Sequence, residues 1–209
     1  MSKILVSGCS MTHGAETAHG FMHAENLQYC WPTLLASNLG TDVVNLALCG
    51  GDNDYIFHSL IDAIESHASQ ETHSVIAAWT SPIRLYWQNK GRHWFFIPGW
   101  ASSMKNLYDW EFNQHATTDA FITSDSKDLL DLLESQHRFF IDNYLDDLQY
   151  HLDKLGNYRV ALKSLCQSRG IKFVDFVIFD IKGPWQSQKR HPNIQEHQLM
   201  ALEIQKKFY

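Results

Sequence analysis

The 209-residue chain has no apolar run approaching the roughly 18 or more residues that a membrane helix needs, so no membrane association is expected. It has no basic run, and its formal charge of −6 argues against a nucleic-acid partner. Its four cysteines, Cys9, Cys30, Cys49 and Cys166, are widely spaced and include no C-x-x-C pair. That pattern excludes a zinc knuckle and a disulfide framework, and fits reduced thiols in a cytoplasmic protein. Lys3 is followed by only three apolar residues before a polar turn, which is not a signal-peptide pattern. No low-complexity segment divides the chain, so a single domain over residues 1–209 is expected. Aromatic residues, by contrast, are plentiful: 7 Trp, 8 Tyr and 12 Phe.

Ile4 to Val6 reads as a buried strand that breaks into Ser7-Gly8-Cys9-Ser10, a turn of small residues. The polar segment 15–28 follows. Within it His19 and His23 are four apart, and solvated or hydrogen-bonding histidines are the simpler reading, because no third and fourth ligand follow at a zinc-like spacing. Residues 29–39 predict a helix with Pro32 in its first turn and Gly40 at its end. Asp42 to Leu48 predicts a second strand, running into the glycine-rich turn Cys49-Gly-Gly-Asp-Asn-Asp54. Ile56, Leu60, Ile61 and Ile64 then mark one face of a helix over 55–66. Ser74 to Trp79 predicts the third strand, ended by Thr80-Ser-Pro-Ile-Arg84.

Residues 85–122 show few regular patterns but hold a dense set of aromatics, including Trp87, Trp94 and Trp100. Such an insertion at a strand end can be a lid, an apolar or sugar-stacking wall, or a satellite core under a long loop. A helical stripe from Ser124 to Leu152 is expected to be interrupted at Gly156, with a second stretch over 158–169 stopped by Gly170. Ile171 to Phe179 is apolar almost throughout, as a central parallel strand should be. His191 then stands just before a last helix that starts at Pro192 and Asn193.

Alternating strands and helices imply a parallel sheet with covering helices, whose strand-end turns share one edge. That edge collects Ser10, Gly50, Ser81 and His191. A serine nucleophile, a histidine base and small backbone donors make up the equipment of acyl transfer.

On these stretches the chain resembles a divergent SGNH (GDSL-type) hydrolase of the bacterial or phage type. The resemblance is carried by Gly8-Cys-Ser-Met-Thr-His-Gly14, by Asn45-Leu-Ala-Leu-Cys-Gly-Gly-Asp-Asn-Asp-Tyr-Ile56, by Trp79-Thr-Ser-Pro-Ile-Arg84 and by His191-Pro-Asn-Ile-Gln-Glu-His197. It implies a three-layer α/β/α, flavodoxin-like fold with about five parallel strands. It also implies Ser10 as nucleophile, His191 as base, and Ser10, Gly50 and Ser81 around the oxyanion. Asn53, Thr80, Arg84 and Trp87 are the expected substrate contacts. Neither a metal nor an organic cofactor is implied. The activity implied is that of an esterase or deacylase on a small-molecule or carbohydrate ester. An acyltransferase, or a binding protein on the same fold, stays open.

Two positions depart from the family. Ser81, or Thr80 with a one-residue slip, stands where an oxyanion asparagine is usual. Gln188 and Lys189 stand where an aspartate usually orients the histidine. Asp180 or a backbone carbonyl is left to hold His191.

Overall fold

The computed structural model describes residues 3–19, 23–66, 72–82, 85–89, 92–96, 148–183 and 191–209. Four strands, β1 (Lys3–Ser7), β2 (Asp42–Asn45), β3 (Thr72–Trp79) and β6 (Lys172–Val177), form one parallel sheet in the order β2-β1-β3-β6. The first strand lies inside, its successor flanks it, and later strands add on the other side. This is the order of flavodoxin-like doubly wound sheets. Among the described residues the parallel sheet has four strands rather than about five.

The sheet is covered on both faces, and period-2 alternation along its strands decides which residue faces which layer. Ile4 and Val6 of β1, Ile76 and Ala78 of β3, and Val174 and Phe176 of β6 pack against α2 (Trp31–Leu39) and α5 (Ile194–Gln205). Leu5, Val75, Ala77 and Trp79 face the other way, onto α3 (Asn53–Ser66) and α4 (Leu148–Ser168). The largest fully buried side chains, Trp31 and Trp79, sit in opposite layers. Strands buried on both faces explain the nearly unbroken apolar runs of β1 and β3. The three-layer α/β/α arrangement is thus present.

The local signals act where they were read. Pro32 lies in the first turn of α2, and Gly40 ends it at φ 64°, a left-handed cap that glycine adopts without steric cost. Asn193 caps α5 through a reciprocal pair with Glu196: the Glu196 N–H donates to Asn193 Oδ1 at 3.0 Å, and the Asn193 N–H donates to Glu196 Oε2 at 2.8 Å.

Other elements differ from the expectation. The regular strand β2 ends at Asn45, three residues short of Leu48, where the Asn45 amide oxygen takes the Ala47 N–H at 3.1 Å; beyond it the Leu46 and Leu48 N–H groups still donate to the Val6 and Gly8 carbonyls at 2.7 and 3.1 Å. β6 ends at Val177, and Ile178–Asp180 forms a 3₁₀ turn. Gly156 does not interrupt α4, which runs unbroken for 21 residues. In the 85–122 stretch, β4 (Leu85–Asn89) and β5 (Arg92–Phe96) form an antiparallel hairpin pairing Trp87 with Trp94. The helix expected from Ser124 lies outside the described residues as far as position 147. No described helix is long and apolar enough to cross a membrane.

Candidate functional site

The site lies at the carboxyl edge of the sheet. After β1 the chain turns through Gly8 and Cys9 into the single turn α1 (Ser10–His13). Gly8 is required there: a Cβ at this position would stand 2.2 Å from Thr12 Oγ1 and 2.6 Å from Thr12 Cβ. Cys9 is the extended N-cap, so Ser10 is the first residue of the turn. Its N–H belongs to the helix-start donors that have no partner within the helix. Gly14 closes the turn at φ 90°, against Cys30, where a Cβ would approach Cys30 Cβ to 2.6 Å. Asn45, at the end of β2, donates its amide to the Thr12 carbonyl at 3.2 Å and ties α1 to the neighbouring strand.

His191 comes from the far side of the chain, two residues before the Asn193 cap. Its Nε2 lies 2.9 Å from Ser10 Oγ. Its Nδ1 lies 2.9 Å from Glu16 Oε2. An ionised carboxylate can only accept, so Nδ1 is the donor in this pair; in the neutral imidazole Nε2 then holds the lone pair that faces the serine hydroxyl. The order carboxylate, imidazole, hydroxyl is the geometry of a charge-oriented nucleophile.

The residue holding His191 is therefore Glu16, in place of the Asp180 or backbone carbonyl expected from the sequence. Glu16 is the non-glycine residue with positive φ among the described residues, at 58°. A left-handed backbone costs an L-residue roughly 1–2 kcal/mol, and such strain concentrates at functional positions.

The other expected residues fall as follows. Gly50 follows β2 at φ 81°, within the turn closed by the Gly51 N–H to Leu48 carbonyl bond of 2.9 Å. Among the described residues nothing accepts a hydrogen bond from the Gly50 N–H. Ser81 is half-buried just beyond β3. Asn53 and Thr80, the expected substrate contacts, are tied to each other behind Ser81. Asn53 is buried, and its amide is committed to the chain beyond β3. Its oxygen accepts the Thr80 N–H at 2.9 Å, and its nitrogen donates to the carbonyls of Thr80 at 3.3 Å and Ser81 at 3.4 Å. Thr80 is fully buried. The Asn53 amide thus holds the backbone on either side of the Thr80–Ser81 peptide. Trp87 lies in β4 opposite Trp94. Arg84 lies outside the described residues.

His197 occupies a different position from His191. It is fully buried, and its Nδ1 accepts the Trp31 N–H at 3.2 Å, capping the start of α2 from α5. Burial pushes it down to about 4; the nearby His191 adds to that fall and Glu196 opposes it. It stays neutral beside the site. Cys9 and Cys49, which flank Ser10 and Gly50, are buried and in no disulfide among the described residues, as are Cys30 and Cys166.

No protein-family model matches the chain, and no curated protein matches it. Among solved structures, it is similar to a member of the lipolytic protein G-D-S-L family from Veillonella parvula DSM 2008, at 14% identity over 97% of this chain and 96% of that one, with a TM-score of 0.38. It is similar to a family two carbohydrate esterase from Cellvibrio japonicus, at 16% identity over 100% of this chain and 63% of that one, with a TM-score of 0.43. A psychrotrophic esterase from Pseudoalteromonas sp. is 15% identical over 100% of this chain and 95% of that one, with a TM-score of 0.39.

Proposed function

We propose that this chain is a serine-dependent ester hydrolase, a divergent SGNH-type esterase or deacylase folded as one domain. The observation that carries the reading is the relay from Glu16 through His191 to Ser10, with both hydrogen bonds at 2.9 Å. Structural histidines are common, but an imidazole bonded on one side to a carboxylate and on the other to a strand-end serine hydroxyl is arranged for proton transfer.

In this reading Ser10 Oγ attacks the acyl carbon of the ester while its proton passes to His191 Nε2. Glu16 holds Nδ1 and stabilises the imidazolium that forms. The carbonyl oxygen, now carrying the negative charge, is received by the N–H groups of Ser10 and Gly50 and by the Ser81 hydroxyl. Collapse of the tetrahedral species breaks the ester C–O bond, and His191 returns the proton to the departing alkoxide. Water then repeats the sequence on the acyl-serine and regenerates Ser10.

Ser81 replaces a fixed amide with a rotating hydroxyl, so this donor is less preorganised. Loss of a well-placed oxyanion donor is worth about 100-fold or more in rate. Part of that disadvantage is offset by the Asn53 clamp, which holds the Ser81 backbone still.

The test is turnover of short-chain aryl esters such as 4-nitrophenyl acetate. Ser10→Ala and His191→Ala are expected to abolish turnover above background while keeping the wild-type fold. Turnover that persists in Ser10→Ala would sink the reading.

A further inference from the structure

We infer that His19, His23 and Glu25 form a surface site for a divalent transition metal of the zinc class. Sequence spacing gives only the two histidines. The fold adds the carboxylate: His19 Nε2 stands 2.9 Å from Glu25 Oε2, and the two imidazole rings lie with centroids 4.8 Å apart, tilted by 40°. One ligand atom from each of the three residues falls within 4.8 Å of the others. A cation seated between ligands at zinc distances of about 2.0–2.2 Å needs donors on the order of 3–4 Å apart, so a small rotation of exposed side chains closes the set.

The backbone beneath the cluster is held in place. Asn26 is fully buried, and its amide oxygen accepts both the Ala18 N–H at 3.0 Å and the His19 N–H at 2.9 Å. Its nitrogen reaches back to the His19 carbonyl at 3.5 Å. The segment bearing His19 is thereby fastened to the 3₁₀ helix Ala24–Gln28 that carries Glu25. His23 caps that same helix, its Nδ1 accepting the Glu25 N–H at 3.3 Å. That bond is long and solvent-exposed, so its replacement by a metal bond, or a ring rotation that presents Nε2, costs little. All three ligands thus project from one Asn26-centred unit.

The donor set selects the metal. Two imidazoles and one carboxylate suit Zn²⁺, Co²⁺ or Ni²⁺, whereas Ca²⁺ and Mg²⁺ require oxygen-rich shells. Three protein ligands on an exposed surface leave further positions to water. The cysteines do not compete, since all four are buried.

Zinc titration by calorimetry on the whole chain tests this without reference to catalysis, with wild type compared against the double variant His19→Ala/His23→Ala and against Glu25→Gln. One Zn²⁺ per chain is expected. Outer-shell partners alone affect metal affinity by about 10–100-fold, so loss of a true ligand in Glu25→Gln should weaken binding at least about tenfold. The double variant should lose the site. Glu25→Gln keeps both imidazoles and the fold, so it reads the carboxylate separately. Co²⁺ titration should give a visible d–d spectrum in wild type that is missing from the double variant. Zinc affinity unchanged in the double variant would assign binding to other histidines and overturn the inference, as would no binding by folded wild type. The His19–Glu25 contact would then be a surface ion pair alone.

Discussion

Glu16 is where the reading is most exposed to refutation, and Glu16→Gln is the sharpest perturbation. The substitution keeps the side-chain volume and an acceptor oxygen for His191 Nδ1 but removes the charge that stabilises the imidazolium. With 2.9 Å between the bonded atoms, the charge centres are roughly 4 Å apart. At that separation the attraction is about 4 kcal/mol at an effective dielectric of 20 and about 1 kcal/mol in bulk water. The Glu16 side chain is 38% exposed, so solvent screening pulls the value below the upper figure. A loss of about 1–3 kcal/mol in the transition state follows, or roughly 5- to 150-fold in kcat/KM. The assay is the pH–rate profile of aryl ester hydrolysis for wild type, Glu16→Gln and Glu16→Gly. The glycine variant adds a control. At φ 58° it relieves about 1–2 kcal/mol of backbone strain and gives back about 0.5–1 kcal/mol of chain entropy. Its stability should therefore match or slightly exceed that of wild type while its activity falls. Wild-type kcat/KM in both variants would refute the orienting role of Glu16.

Three further outcomes follow from the surrounding packing. Asn53→Ala leaves the buried Thr80 N–H without an acceptor and should cost about 1–3 kcal/mol in urea unfolding, with ester turnover falling as Ser81 is released. Gly8→Ala must displace Thr12 within α1, the turn that carries Ser10, and a loss of about 1–3 kcal/mol together with most of the activity is expected in the same two assays. His197 is held down to about 4 by burial, below its unfolded value of 6.5. Above pH 6.5 the group is neutral in both states and its contribution is complete. As pH falls from 6.5 through 4 only the unfolded state takes up the proton, so stability is lost, by about 3 kcal/mol at most. His197→Asn, which keeps an acceptor for the Trp31 N–H, should flatten that part of the stability–pH curve.

The sheet and its site edge were readable because burial on both faces writes long apolar runs, and because glycine and proline mark turns by their own stereochemistry. Strand order puts Ser10 and His191 on one edge, and their side chains meet there at 2.9 Å. Glu16 could not be placed that way. It lies 175 positions from the histidine it holds, and only the tertiary fold joins them. A carboxylate shortly after the Ser10 turn was the available signal, and it is too common to stand out. Gly156 misled for a different reason. A glycine costs a helix only about 1 kcal/mol, which the burial of Leu155, Leu162 and Cys166 exceeds. The β4–β5 hairpin had a legible signature, since Leu85 to Asn89 and Arg92 to Phe96 are two strand-prone runs separated by Lys90-Gly91. Its aromatic density fits a binding wall as well as it fits strand pairing. The Asn53 amide bonds to the chain at Thr80 and Ser81 join residues 27 and 28 positions apart, so no local pattern in the sequence announces them.

The most direct measurement of the central claim is covalent labelling with a fluorophosphonate, read by intact mass and by peptide mapping. The probe requires an activated serine but not the natural substrate. A single adduct on Ser10 is expected, absent from Ser10→Ala and His191→Ala and slowed in Glu16→Gln. Folded wild-type protein that takes up no label, or takes it up elsewhere than on Ser10, would contradict the claim.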